Sequence, residues 1–183
     1  MDQRSSKAAY FQLLRDSISN TIVEPRHDFH LALHLMREAF DDATHTGKKV
    51  IFIGNGGSSA IASHMAADIS KNGGVRAIAF NDFPTLTMLG NDFGYDSVFS
   101  KQIDFYCHVG DVLVAISSSG GSRNILNAAE KAKEKNMRLF TFTGMVKTNE
   151  NKLKDMGEIN FITPSTDYGI VEISHLSLIH SVI

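Results

Sequence analysis

The chain has 183 residues, of which 43% are hydrophobic, and its formal net charge is −2. This length and composition predict one globular domain with a sizeable core, and the mixture of basic and acidic residues argues against a nucleic-acid partner. The single cysteine, Cys107, excludes a disulfide framework and fits a reducing compartment. No apolar signal-peptide core and no run of about 20 apolar residues is found, so we expect a cytoplasmic protein that does not enter a membrane.

Apolar residues at helical spacing predict two amphipathic helices before the first strand. The first covers roughly 5–22 and is broken by Pro25, and the second begins near Phe29 and ends near Gly47. These helices could pack on the domain itself, but long helices added outside an α/β core often bury their apolar side against a partner subunit. We therefore expect residues 1–47 to serve oligomerisation and residues 48–183 to form the core of a single domain.

After Gly47, short apolar runs alternate with helical stretches. This alternation predicts a five-stranded parallel sheet covered by helices on both faces, with ligands bound at the carboxyl ends of the strands. The predicted strands are Val50–Ile53, Arg76–Phe80, Val112–Ile116, Leu139–Thr143 and Ile159–Ile162. The predicted helices lie near 58–71, 95–106, 121–136, 147–156 and 168–183.

A glycine turn follows the first predicted strand and opens a helix that carries His64 and Asp68. Glycines allow a ligand to approach the backbone, and a helix N-terminus attracts anions. A histidine and a carboxylate four residues apart share one helix face and can converge on a metal or a proton-transfer centre, although such pairs are also common on ordinary surfaces.

A second glycine-rich turn, from Ser117 to Asn124, follows the strand ending at Ile116 and again opens a helix. Its serine hydroxyls and backbone N–H groups favour a phosphate site over a plain serine-capped helix. The turn lacks the Lys of a Walker loop and the spacing of a dinucleotide fingerprint.

A second set of candidate metal ligands lies near the end of the chain. Glu172, His175 and His180 near the end of the chain, taken with His64 and Asp68, would suit zinc, but Glu172 and His180 are separated by about 12 Å of helix rise. They can meet at one centre only by leaning toward each other or if different subunits supply them.

His27, His30 and His34 share one predicted helix face, which we interpret as a solvated or interface face. The segment Asn91–Gly94 is predicted to be a turn entering a helix at Tyr95, either as a helix cap or to bond sugar hydroxyls.

Four motifs in this order resemble the sugar isomerase (SIS) domain. They are Gly-Asn-Gly-Gly-Ser-x5-His-x3-Asp, Gly-Asn-Asp-Phe-Gly-Tyr, Gly-Asp-Val-Leu-x-Ala-Ile-Ser-x-Ser-Gly-x-Ser-x-Asn and the final Glu-x7-His. Within that family the chain is similar to the phosphoheptose isomerases, which convert sedoheptulose 7-phosphate to D-glycero-D-manno-heptose 7-phosphate. The resemblance implies a flavodoxin-like fold, a homotetramer with active sites at subunit interfaces, and zinc in several members.

The resemblance also implies roles for individual residues. Sugar-binding positions would be Asn55, Gly56, Gly57, Ser58, Asn91, Asp92 and Glu172, and phosphate-binding positions would be Ser117, Ser118, Ser119 and Ser122. The metal and acid–base group would be His64, Asp68, Glu172 and His180. The family usually has Glu at the position of Asp68 and Gln at that of Glu172. The two exchanges leave three alternatives: exchanged catalytic roles, another phosphosugar, or poor isomerisation.

A non-catalytic binding protein is the main alternative of a different class, because some SIS relatives keep the fold but have lost the catalytic side chains. The joint presence of His64, Asp68, Glu172 and His180 argues against it. For the enzyme, Asp68 or Glu172 would remove the C1 proton and His180 would return one to the carbonyl oxygen.

Overall fold

The computed structural model of the chain describes residues 3–25, 28–145 and 151–183. Its strands are β1 (Ile22–Glu24), β2 (Val50–Gly54), β3 (Ala77–Ala79), β4 (Val112–Ser117), β5 (Arg138–Gly144) and β6 (Ile159–Thr163). Its helices are α1 (Gln3–Ser19), α2 (Phe29–His45), α3 (Gly57–Gly73), α4 (Phe83–Phe93), α5 (Val98–Tyr106), α6 (Arg123–Glu134) and α7 (Tyr168–His180). Single 3₁₀ turns occur at Tyr95–Ser97 and Leu153–Asp155.

The strands form one sheet in the order β1-β6-β5-β4-β2-β3. All neighbours are parallel except β1, which pairs antiparallel with β6. The doubly wound α/β class is therefore as predicted, and no helix in the described ranges is long and apolar enough to cross a membrane.

Alternate residues of the central strands feed two cores, one on each face of the sheet. Phe52 and Phe140 pack in the core that α2, α3 and α7 cover, whereas Ile51 and Leu113 pack in the core beneath α5 and α6. All four side chains are fully buried. Both helical layers are thereby fixed against the sheet, and the carboxyl ends of β2 and β4 are held side by side, with Gly54 in register with Ile116.

The prediction of five strands was wrong by one. The first helix ends at Ser19 rather than at residue 22, and Ile22–Glu24 form β1. Residues 22–24 pair with the free edge of β6, and Val23 is buried in the core. Helical periodicity alone could not show this, because the pairing partner lies at the far end of the chain.

The helix Phe83–Phe93 was not predicted. Asp82 caps it by accepting a hydrogen bond from the Thr85 N–H (3.0 Å), and Pro84 lies in the first turn, where proline is tolerated. The predicted turn at 91–94 is therefore the last turn of α4, and Gly94 ends it with φ +80°. Of the helix predicted near 147–156, the described part contains only the turn Leu153–Asp155, and 146–150 lie outside the described residues.

Candidate active site

The glycine turn after β2 needs its glycines for two different reasons. Gly56 caps α3 with φ +54°, a left-handed conformation that a side chain would strain. Gly57 begins the helix, and a Cβ there would lie 2.5 Å from both carboxylate oxygens of Glu172. The missing side chain thus lets the carboxylate of α7 approach the backbone at the N-terminus of α3, where the helix dipole favours negative charge.

A cavity of about 130 Å³ opens between this turn and the serine loop that follows β4. Hydroxyl groups, one amide and one carboxylate dominate its wall. It is lined by Asn55, Ser58, Ile116, Ser117, Ser118, Ser119, Ser122, Tyr168 and Glu172. The structure therefore brings together every predicted phosphate-binding serine with part of the predicted sugar-binding set, at the edge of the sheet where parallel α/β proteins bind ligands.

Within this cavity the serine loop has unused hydrogen-bonding capacity. Ser118 Oγ is buried and has no hydrogen-bond partner among the described residues. Ser122 occupies the cap position of α6 but its side chain makes no capping bond, and it accepts only a long bond from the Ser117 hydroxyl (3.4 Å). A buried hydroxyl without a partner costs free energy. An anion at the N-terminus of α6 would satisfy such groups and be favoured by the helix dipole.

A second cluster joins α3 to α7. His64 Nε2 lies 3.3 Å from His180 Nε2 and 3.5 Å from Asp68 Oδ2, and His180 Nδ1 lies 3.9 Å from the same carboxylate oxygen. His64 and Asp68 meet because they are one helical turn apart, and His180 reaches them from the last residue of α7. One ligand atom from each residue lies within 4.8 Å of the others. Within the described parts of the chain this is the one group of three metal-ligating side chains found.

Glu172 and the Asn91–Asp92 pair of α4 lie apart from this cluster. Glu172, two helical turns before His180, lines the serine cavity and is not among the three clustered residues. Asn91 and Asp92 are exposed in the last turn of α4, bonded to each other at 2.8 Å, and do not line the cavity. The single chain therefore divides the predicted site into a serine cavity with Glu172 and a separate His–Asp–His cluster.

Of the remaining histidines of the predicted groups, the three that the structure describes belong neither to the cavity nor to the cluster. His175 is fully buried, and its Nε2 donates to the carbonyl oxygen of Thr143 at 3.0 Å. Burial lowers the pKa of His175 to about 4 despite this hydrogen bond, so the imidazole is neutral near pH 7. His30 and His34 are exposed, with His34 Nε2 3.3 Å from Glu38, and His27 lies outside the described residues.

Comparison with known proteins identifies the family. Residues 9–144 match the family model of the SIS domain. The chain is 39% identical over 142 residues to the phosphoheptose isomerase of Buchnera aphidicola, covering 74% of this chain and 72% of that protein. It is 34% identical over 155 residues to the enzyme of that name from Helicobacter pylori, covering 81% and 77%. The chain belongs to the SIS-domain phosphoheptose isomerase family. Its fold resembles that of phosphoheptose isomerase GmhA from Neisseria gonorrhoeae with a TM-score of 0.84, at 30% identity and over 99% and 97% of the two chains.

Three residues of this phosphoheptose isomerase homologue were missed by the sequence reasoning. Tyr168, the first residue of α7, lines the cavity. Asn124 exchanges two hydrogen bonds with Asn55, each 2.9 Å long, and the Tyr95 hydroxyl donates a third to Asn55 Oδ1 at 2.9 Å. Asn124 and Tyr95 each stand at the end of one of the four motifs, and that position is the signal that could have found them. Nothing in the local sequence indicates that Tyr168 lines the cavity.

Proposed function

We propose that this protein converts sedoheptulose 7-phosphate to D-glycero-D-manno-heptose 7-phosphate through an enediol intermediate. The observation that carries the proposal is the serine cavity, which has at one wall a buried hydroxyl with no partner among the described residues and at another the Glu172 carboxylate. The hydroxyl groups suit the phosphate of a sugar phosphate, and the carboxylate suits proton transfer at its sugar end. The relatives named phosphoheptose isomerase support the same substrate.

The phosphate is proposed to bind to the serine loop. Ser118 and Ser122 offer hydroxyl donors, and α6 presents its positive dipole end directly behind them. The sugar is proposed to extend along Asn55, Gly56, Gly57 and Ser58 toward Glu172, with Asn91 and Asp92 closing the site. This orientation leaves the carbonyl end of the sugar toward the acid and base groups.

The isomerisation moves a proton from C1 to C2 and needs a base, an acid and stabilisation of the oxyanion. Asp68 or Glu172 is proposed to remove the C1 proton, and His180 to deliver a proton to the carbonyl oxygen. Because Asp68 is one methylene shorter than Glu, its oxygens retract by about 1 Å, a displacement that can cost about a hundredfold in rate. Glu172, which already lines the cavity, is placed to take over the role of the base.

The donor set of the His–Asp–His cluster fits zinc. Two imidazoles and one carboxylate within 4.8 Å of each other match the ligands of open catalytic zinc sites. His64, Asp68 and His180 would hold the ion. Because metal binding occupies a ring nitrogen of His180 and the carboxylate of Asp68, these roles are alternatives to their roles as free acid and base. Glu172 would join the ligands only across a subunit interface or after a side-chain rearrangement. Bound zinc would polarise the sugar carbonyl.

We also propose a cytoplasmic homotetramer with active sites at subunit interfaces, as the family resemblance implies. Two features support an oligomer. Phe11, Leu13 and Leu31 are large apolar side chains left exposed on α1 and α2, and a groove of about 550 Å³ runs between α2 and α7. Interface sites would also account for the separation of Glu172 from the His–Asp–His cluster in one chain.

The direct test is turnover of sedoheptulose 7-phosphate by the purified protein, followed by NMR of the aldose product. We expect His180→Ala to lower kcat by at least about a hundredfold, the usual minimum contribution of an acid–base group. Asp68→Asn and Glu172→Gln then identify the base, because only the variant that lacks the base should lose as much kcat as His180→Ala. Unchanged rates in all three variants contradict the mechanism, and a wild-type protein without turnover contradicts the function.

Metal analysis of the same preparations provides a separate measurement. We expect one zinc per chain in the wild type and loss of zinc in His64→Ala. His34→Ala is the matched control, since His34 is also an exposed helical histidine beside a carboxylate but belongs to no three-residue cluster in the described structure. Equal zinc in His64→Ala and wild type would refute the metal assignment.

A further inference from the structure

Among the described residues, the side chain of Asn55 makes three hydrogen bonds, more than any other side chain in the cavity wall. Asn55 and Asn124 face each other with both amides, so that each Nδ2 donates to the other residue's Oδ1 at 2.9 Å. The Tyr95 hydroxyl adds a third bond to Asn55 Oδ1, also at 2.9 Å. The two reciprocal hydrogen bonds close a ring between the amides, which restricts the rotation of both groups.

The three hydrogen bonds occupy the oxygen of the Asn55 amide fully and its nitrogen only in part. Its Oδ1 accepts from two donors, one on Asn124 and one on Tyr95, and both lone pairs of the oxygen are thereby used. Its Nδ2 carries two hydrogens but makes one hydrogen bond among the described residues, to Asn124. Within the part of the chain that the structure describes, Asn55 therefore has one N–H without a partner and no unused acceptor, and it lines the serine cavity. A donor suits phosphate or sugar oxygens, whereas an acceptor facing a phosphate would repel it.

Asn124 itself does not touch the cavity. It is 2% exposed and is absent from the lining residues. It lies in the first turn of α6, directly after the serine loop, whereas Asn55 follows β2, the strand paired with β4. The pair thus connects the two turns that enclose the ligand site, across two strands that are adjacent in the sheet.

We propose that Asn124 and Tyr95 are positioning residues, which act on the bound phosphosugar only through Asn55 by holding its amide so that a single N–H faces the ligand. This inference rests on the proposed function, because it assumes that the serine cavity binds a sugar phosphate. It assigns a role in substrate recognition to two residues that make no direct contact with the substrate.

The experiment is a set of double-mutant cycles read by turnover of sedoheptulose 7-phosphate and by calorimetric binding of inorganic phosphate. In the wild-type background, Asn124→Ala is expected to raise KM about tenfold with kcat nearly unchanged, as expected when one hydrogen bond of equal strength in the ground and transition states is lost. Tyr95→Phe, which removes only an exposed hydroxyl, is expected to raise KM about threefold. In an Asn55→Ala background both substitutions should leave KM unchanged within about twofold.

Asn127→Ala is the matched control. Asn127 lies on the same helix, one turn after Asn124, and donates to the carbonyl oxygen of Asp96 rather than to Asn55. It should leave KM unchanged in either background. If Asn124→Ala fails to fold, as thermal melting would show, Tyr95→Phe still tests the inference because Tyr95 is exposed.

The outcomes separate the two proposals. The positioning role is overturned if Asn124→Ala or Tyr95→Phe raises KM equally in the wild-type and Asn55→Ala backgrounds, or raises it in neither. Turnover by the wild type would still support the proposed function in that case. A fall in kcat with unchanged KM also contradicts it, since a positioning role in binding predicts the reverse. A wild-type protein that neither binds phosphate nor turns over the sugar refutes the proposed function, and the inference falls with it.

Discussion

Substituting Gly57 by Ala should lower activity without lowering the stability of the fold. The added Cβ would lie 2.5 Å from the Glu172 carboxylate oxygens, whereas ordinary contact begins at 3.4 Å, so the carboxylate must withdraw by about 0.9 Å. Because the obstructing atoms end a flexible side chain, the fold can adapt. Gly57 does not have positive φ, and alanine in a helix is favoured over glycine by about 0.5–1 kcal/mol. The free energy of unfolding should therefore stay level or rise slightly.

Activity should fall, because Glu172 lies in the cavity and a misplacement of about 1 Å can cost roughly a hundredfold in rate. The assay is kcat/KM for sedoheptulose 7-phosphate alongside thermal melting of the same sample. Gly74→Ala, at the other end of α3, is the control with the opposite pattern: unchanged kcat/KM and lower stability. A Cβ at Gly74 would touch nothing within 4 Å, but its left-handed φ of +68° costs a side chain about 1–2 kcal/mol of stability. Wild-type kcat/KM in Gly57→Ala would show that the position of the Glu172 carboxylate does not matter.

Three further substitutions test buried polar groups. Ser118→Ala removes a buried hydroxyl without a partner in the described structure, so melting should stay level or rise while calorimetric phosphate affinity falls about tenfold; unchanged affinity would refute the phosphate site. Because the pKa of His175 is lowered to about 4 from 6.5, the wild type should lose about 3 kcal/mol as the pH falls between these values. His175→Gln should lack this loss in denaturant titrations, and parallel pH profiles would contradict it. Burial tends to raise the pKa of Asp111, but hydrogen bonds from Lys49 and from the His108 N–H outweigh it and lower the pKa below 3.8. Asp111→Asn should therefore destabilise by about 1–3 kcal/mol at pH 7, and chemical denaturation should show this difference fading only below about pH 4.

Features encoded by neighbouring residues could be predicted from the sequence. The runs that became β2, β4, β5 and β6, and the two turns that follow β2 and β4, depend on local periodicity and on glycine and serine chemistry. Because parallel strands end at one edge of their sheet, the meeting of these turns in one cavity also follows from the fold class.

Contacts between distant segments could not be derived in this way. The strand Ile22–Glu24 exists only because β6 offers it an edge, and a segment of three residues has no periodicity of its own. The sequence likewise grouped Glu172 with His180, but α7 carries the first to the serine cavity and the second to His64 and Asp68.

What the sequence alone determined about this protein is its family, its α/β class and the chemical types of group at the site. The tertiary structure decided which of these groups meet. Asn55 and Asn124 illustrate the reason: 69 residues separate them, yet β2 and β4 are adjacent in the sheet although β3 lies between them in the chain. Strand order arises from packing of the whole core rather than from any local pattern, and it fixes the orientation of the amide that faces the ligand.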